Sequence, residues 1–451
     1  MNRLSALLLP SLLAISTLPL LADLSPEVTQ RLRDAVVRIE TPDGSSGTGF
    51  FISEQGTLLT CAHVLDSVTT EVEVIFADES EAVARFVSFD PVGHDLAALM
   101  LVDAKPHAFL ELSANEPRPG QRIYQSGNPH ALYPALLSTG IVGHHRATHH
   151  NFIHDAASSS GSSGSPVVDA QGRVLGMLMS TYNDDSDPPR PNGFCSALDI
   201  AAIRGFLTNL AQGSKSDVKV AHVEYLRYPL PVLDVGKPMA GMLTPESDRY
   251  PVDLSYAHGY TLDLNAGDLL HLTLKSGDFD CYLKLYDNEA SVLEQNDDAP
   301  GSDGTDSEIT YIAAHTARHV VVATSFERGE TGSYQLDANI IQFADPEVIH
   351  ASFKKADSIK GGAPSHTHPI EGNAGQWLSV WMKSEKLDSM LRLLGPDGSI
   401  VAENDDWNAE TRDSGILFRL PESGEYRIVA TTFEESAFTG PYLLEISRAQ
   451  K

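Results

Sequence analysis

Two stretches in the C-terminal half repeat one another at matched spacing, and this constrains the fold more than any single segment does. The first copy runs Asp280, Leu283-Lys284-Leu285, Asn296-Asp297-Asp298, Asp306-Ser307 and Gly332-Ser333-Tyr334-Gln335-Leu336. The second runs Asp388, Leu391-Arg392-Leu393, Asn404-Asp405-Asp406, Asp413-Ser414 and Gly440-Pro441-Tyr442-Leu443-Leu444. Asp280 to Asn296 equals Asp388 to Asn404, and Asp298 to Gly332 equals Asp406 to Gly440. A unit copied at fixed spacing is one folding unit used twice. Alternating runs such as Leu269-Leu270-His271-Leu272-Thr273-Leu274 and Leu378-Ser379-Val380-Trp381-Met382 have the two-residue period of strands. The spacing therefore predicts two β-sandwich modules, about 222–343 and 347–448, inside domains 216–345 and 346–451.

Upstream, the chain reads as short strands separated by Gly, Asp and Pro. Ser25-Pro26-Glu27 starts a helix that runs to about Asp34, with Ser as N-cap and Pro at the first helical position. Strands follow at Ala35–Glu40, Gly49–Ile52, Thr57–Thr60, Val72–Phe76 and Asp95–Val102. After the break at Pro117-Arg118-Pro119-Gly120 come Arg122–Ser126, Leu136–Val142 and Arg173–Met179. Many short strands at regular spacing indicate an antiparallel sandwich or barrel, here in two halves. An amphipathic helix from Asp199 to about Leu210 closes the region, with Ile200, Ile203, Phe206, Leu207 and Leu210 on one face. Gly213-Ser214-Lys215-Ser216 reads as a linker. The fold class expected is all-β, and 451 residues are too many for one core.

A formal net charge of -29 excludes nucleic acid as a partner, because that function needs a basic patch. Met1-Asn2-Arg3 and the apolar run Leu4–Leu21, ending at Ala22, read as a secretory signal peptide over 1–22. An uncleaved anchor is the alternative, but Pro10 and Pro19 interrupt a run already short for a span. The expected product is secreted or periplasmic, with no membrane association after cleavage. Three cysteines, Cys61, Cys195 and Cys281, make no disulfide framework.

The chemistry concentrates in three places. Gly161-Ser162-Ser163-Gly164-Ser165-Pro166 sets serines among glycines that let the backbone turn sharply and present N–H groups. His63 follows a strand in Thr60-Cys61-Ala62-His63-Val64, and Asp95 opens one in Gly93-His94-Asp95-Leu96-Ala97. Singly, each has an ordinary reading as turn or strand-end structure. Together, in the order His, Asp, Ser, they point to nucleophilic catalysis.

These motifs resemble those of chymotrypsin-like serine peptidases. Thr-Cys-Ala-His63 is similar to the Thr-Ala-Ala-His motif. Asp95-Leu-Ala resembles the triad segment of the bacterial HtrA-type and glutamyl-endopeptidase-type members. The 161–166 turn is similar to Gly-Asn-Ser-Gly-Gly/Ser-Pro, preceded by the matching Asp155-Ala156-Ala157, and Gly47–Ile52 matches the entry to the first barrel. The resemblance spans about 30–210 of a 23–215 domain and implies two six-stranded antiparallel β-barrels with the site between them. It selects Ser163 as nucleophile among the six serines from Ser158 to Ser165. It implies His63 as general base, Asp95 as its orienting carboxylate, and an oxyanion hole from the N–H groups of Gly161 and Ser163. A specificity pocket would involve Ala157, Ser158, Met179, Ser180, Thr181 and Gly193. No acid sits at its base, so a small or apolar P1 residue is preferred. Ser162 stands where zymogen-activated animal enzymes carry Asp, which argues against activation by a freed N-terminus.

The histidines at 144, 145, 149, 150 and 154 show no zinc spacing and read as a polar inter-strand loop, with His154 able to approach the pocket. The repeats resemble the bacterial pre-peptidase C-terminal domain. The loops Asn296–Asp298 and Asn404–Asp406 could ligate Ca²⁺, or their side chains could simply cap turns. No metal or other cofactor is required by the expected chemistry. The expected partners are protein or peptide substrates, with a polymer or surface ligand for the modules. The resulting reading is a serine endopeptidase; its rival is a catalytically silent protein that binds through the repeats. No PDZ-like module follows the peptidase region.

Overall fold

In the computed structural model, residues 24–449 are described except 43, 66–69, 104–106, 182–192, 251–253, 300–304, 358–362, 408–410 and 434–438. The expected signal peptide lies outside the described residues. No helix among the described residues is long and apolar enough to cross a membrane.

Two closed six-stranded antiparallel barrels form the N-terminal half. The first closes in the order Val36–Glu40, Ser46–Phe51, Thr57–Thr60, Ala97–Leu101, Glu81–Phe89, Glu71–Ile75. The second closes in the order Pro166–Val168, Val174–Thr181, Cys195–Asp199, Asn151–His154, Leu136–Arg146, Arg122–Gly127. Ile39, Phe50, Leu58, Val74 and Leu99 fill the first interior, while Ile123, Val142, Phe152, Val167 and Ala197 fill the second.

Both expected helices are present. Pro26–Ala35 starts at Ser25, whose Oγ accepts from Val28 N at 3.3 Å, and it buries Val28 and Leu32. Ile200–Ala211 starts at Asp199, whose Oδ1 accepts from Ala201 N and Ala202 N at 3.0 and 3.1 Å. Its Ile200, Ile203 and Phe206 join the core of the first barrel, so this helix ties the two barrels together.

The repeat becomes two sandwiches of matching topology. In the first, one sheet runs Met239–Leu243, Gly332–Ile341, Leu269–Lys275, Ser307–Ile312. The facing sheet runs Asp248–Arg249, Tyr256–Leu264, Ala317–Ser325, Cys281–Tyr286, Val292–Asn296. The second sandwich reproduces this with Glu347–Phe353, Gly440–Arg448, Trp377–Lys383, Ser414–Arg419 facing His366–Gly372, Gly424–Thr432, Ser389–Leu394, Ile400–Asn404. Only the short Asp248–Arg249 strand lacks a counterpart among the described residues.

The stretch expected to be a linker is anchored. Phe89 N donates to Ser216 O at 2.9 Å, holding it to the first barrel. Beyond it, Val220, Val223, Tyr225, Leu226 and Tyr228 form a strap that packs against Ala257, Tyr286, Val320 and Val322 of the first sandwich. Val92, just ahead of Asp95, joins the same cluster.

Candidate active site

The glycine-rich turn has the conformation its sequence requires. Gly161 and Gly164 lie at φ +89 and +87°, where a side chain is disfavoured. A Cβ on Gly164 would fall 2.0 Å from Thr48 O, and one on Gly161 2.8 Å from Asn128 O. Thr48, on the first barrel, holds this turn of the second. Its N donates to Ser163 O at 2.8 Å, and its Oγ1 donates to Gly161 O at 2.8 Å while accepting from Asn128 N at 3.0 Å. Gly164 N donates to Leu178 O, and Leu178 N to Ser165 O, each at 2.9 Å. Ser163 is thus held at the tip. Among the described residues nothing accepts from the N–H of Gly161 or of Ser163. Two unspent donors beside a serine hydroxyl are what an oxyanion requires.

His63 sits in the one-turn helix Ala62–Val64 that follows the strand Thr57–Thr60. Asp95 grips it twice: Oδ1 accepts from His63 N at 3.0 Å, and Oδ2 lies 2.7 Å from Nδ1. Burial would push the Asp95 carboxyl up, but the charge and hydrogen bonds of His63 outweigh it and hold the group far below the usual carboxylate range. Burial likewise lowers His63, but the Asp95 charge and hydrogen bond leave its pKa raised overall. The Ser163 hydroxyl donates to Met179 O at 3.3 Å, and transfer of its proton to His63 requires that bond to be exchanged.

Cys61 lies beneath this pair, with Sγ donating to Leu178 O at 3.1 Å. Burial first, and then the Asp95 charge, push its thiol well up. Ligand atoms of Cys61, His63 and Asp95 lie within 4.8 Å of one another. A metal ion there would have to break the 2.7 Å His63–Asp95 contact and ionise a buried thiol, so the donor set suits a hydrogen-bonded dyad.

A cavity of about 950 Å³ opens beside the three residues. Of the residues expected at the specificity pocket, Ser158, Met179, Ser180 and Thr181 lie on its lining. Ala157 is exposed and outside the lining, with its carbonyl accepting from Ser138 Oγ at 2.9 Å. Gly193 is exposed, at φ +81°, bordering the undescribed 182–192 stretch, and does not line the cavity. The opposite wall was missed from sequence: it comes from the strap and from the Tyr286–Val292 hairpin of the first sandwich. Lys219 is only 3% exposed; its Nζ donates to Leu65 O at 3.1 Å and pairs with Glu289. The available signal was Val220-Ala221-His222-Val223-Glu224-Tyr225-Leu226, too apolar for a linker.

Three of the histidines pair with acids. His145 Nε2 and His150 Nδ1 lie 3.0 and 3.3 Å from the two oxygens of Asp199, and His149 Nε2 lies 3.5 Å from Asp248 Oδ1. His154 is buried, which pushes its pKa down to about 4, and it does not line the cavity. In the acidic loops, Asn296 Oδ1 accepts from Asp298 N at 2.6 Å and Asn404 Oδ1 from Gly415 N at 2.9 Å. The first closes a local turn, and the second joins the loop to the strand Ser414–Arg419.

Residues 47–177 match the family model for the trypsin-like peptidase domain. The chain is 32% identical over 144 residues to a probable periplasmic serine endoprotease, DegP-like, of Bartonella henselae, covering 30% of this chain and 28% of the relative. It is 33% identical over 145 residues to the mitochondrial serine protease HTRA2 of Bos taurus, covering 30% and 31%. This chain thus spans less than a third of the length of each of these two relatives. Among solved structures, the serine endoprotease from Yersinia pestis aligns at 22% identity and a TM-score of 0.37, over 42% of this chain and 67% of that one.

Proposed function

We propose that the chain, which carries a trypsin-like peptidase domain, is an exported serine endopeptidase acting through His63, Asp95 and Ser163. The observation that carries this reading is the 2.7 Å His63–Asp95 contact facing the same cavity as Ser163, whose turn leaves two N–H groups unspent. His63 takes the Ser163 proton as the oxygen attacks the scissile carbonyl, then returns it to the leaving amine. Asp95 holds the imidazole tautomer and stabilises the imidazolium. The Gly161 and Ser163 N–H groups take the oxyanion. Ser158, Met179 and Ser180 carry no charge into the P1 pocket, which favours a small or apolar residue there. Export agrees with the periplasmic relatives and with the N-terminal apolar run.

A fluorophosphonate probe should label the wild type and not Ser163→Ala, which should also lose roughly 10⁶ in kcat. An unlabelled, fully processed wild type would leave the silent-binder reading standing. The imidazole must be neutral to act. Because its pKa is raised, kcat/KM should fall as pH drops through a value above that of an unperturbed histidine. Asp95→Asn removes the cause, so the acid limb should move to lower pH while the rate falls by about 10⁴.

A further inference from the structure

The cavity that holds Ser163 and His63 is continuous with residues of the first sandwich, including Glu289, Ala290 and Val292. These lie on the hairpin joining Cys281–Tyr286 to Val292–Asn296. The hairpin is fixed in place. The Tyr286 hydroxyl lies 3.1 Å from that of Tyr225, and Glu289 pairs with the buried Lys219 that bonds the Leu65 carbonyl just after His63. The strap is fixed as well, since the Tyr228 hydroxyl donates to Ala221 O at 2.7 Å and accepts from Val223 N at 2.8 Å. A wall rigid before binding adds affinity and selectivity without an ordering cost.

The turn at the hairpin tip carries an independent sign. In both sandwiches it is closed by the same bonds: Asp287 N to Ser291 O at 3.0 Å, and Gly395 N to Ser399 O at 2.8 Å. The second copy places Gly398 at the left-handed position, φ +86°. The first places Ala290 there, at φ +63°, against the sterics that favour glycine. Backbone strain kept where a relaxed residue was available points to a function for the side chain. The Ala290 methyl packs on the strap cluster and lines the cavity with Val220, Val223 and Val292.

We propose that the hairpin tip Asn288–Val292 and the strap Lys219–Tyr225 form the second wall of the substrate cleft. They build a subsite, separate from the P1 pocket, for a small apolar side chain of an extended polypeptide. Glu289 and Lys219 anchor this wall, and Ala290 and Val292 face the substrate. The first sandwich is then part of the specificity apparatus rather than a passenger. This rests on the peptidase reading above.

The test uses the full chain with the second copy's tip grafted onto the first, Asn288→Pro, Glu289→Asp and Ala290→Gly together, and Ala290→Gly alone as the milder variant. Active enzyme is titrated with a fluorophosphonate, and folding is checked by thermal melting. Cleavage of a peptide library with constant residues at the scissile bond is then read by mass spectrometry. Relative kcat/KM between members differing only at distal positions should change by about 10-fold in the graft, and in the same direction but less in Ala290→Gly. Profiles that superimpose on the wild type within about 2-fold, in an enzyme that titrates and cleaves, overturn the proposal alone. A wild type that does not titrate overturns the peptidase reading and the subsite with it.

Discussion

The two sandwiches share strand order and turn closure, yet only the first is buried on both sides of its sheet. In the first, Ala317–Ser325 is buried almost continuously along its length. In the second, the matching Gly424–Thr432 alternates through its first half. The inner positions correspond, with Leu285 opposite Val321 and Leu393 opposite Ile428. The outer positions have diverged. Val320 lies opposite Tyr286, where the second copy has Arg427 opposite Leu394. Gly259 lies opposite Val322, where the second copy has Thr367 opposite Val429. An antiparallel sheet tolerates water on one face, and the second copy keeps that option. The first packs its outer face against the strap, which also lines the cavity beside Ser163. The two copies share the fold and differ at outward positions where the first packs on the strap.

The sharpest way to break this comparison is to exchange those positions. Val320→Arg puts an unpaired charge into the strap cluster and should cost more than about 4 kcal/mol, read by urea unfolding at neutral pH. The reverse exchange, Arg427→Val, should stay within about 0.5 kcal/mol because its face needs no packing partner. Equal costs would mean that the two outer faces are equivalent after all. Gly259→Thr is the next largest. A Cβ there would lie 2.4 Å from Leu226 Cδ1, so the strap must shift at a cost of about 2 kcal/mol. Thr367→Gly in the second copy should lose only about 0.5–1 kcal/mol, the ordinary penalty of glycine in a strand.

Much of this was legible in the sequence. Ser25-Pro26 and Asp199 announced both helices, and the contexts of His63, Asp95 and Ser163 announced residues that meet at one cavity. Equal intervals announced two equal sandwiches. The strap's apolar character was legible but its place was not, because Val220–Tyr228 has neither a strand nor a helix period and takes its partners from Val320 and Val322, far along the chain. Thr48 was read as part of a barrel entry, but its hold on Gly161 and Ser163 is a long-range contact that no local pattern encodes. One missed signal was present. Val320-Val321-Val322 is continuously apolar where the matching Arg427-Ile428-Val429 begins with a charge, and a continuous run marks a strand covered on both faces.

The smallest expected effect tests the comparison at a single methyl group. Gly398 sits at φ +86° with Arg427 Nη2 3.1 Å from where a Cβ would lie, so Gly398→Ala gains left-handed strain without an apolar partner. It should lose about 1 kcal/mol. Ala290→Gly relieves the same strain in the first copy, but it frees the unfolded chain and removes a methyl packed on the strap cluster. These terms oppose, so the net change should lie within about 0.5 kcal/mol of zero. If the turns differed only in strain, the two substitutions would be mirror images, and Ala290→Gly would stabilise by as much as Gly398→Ala destabilises. Paired urea titrations of the two variants read that asymmetry directly. A clear gain from Ala290→Gly would show that the methyl contributes little packing at the strap, and that the docked copy carries strain its contacts do not offset.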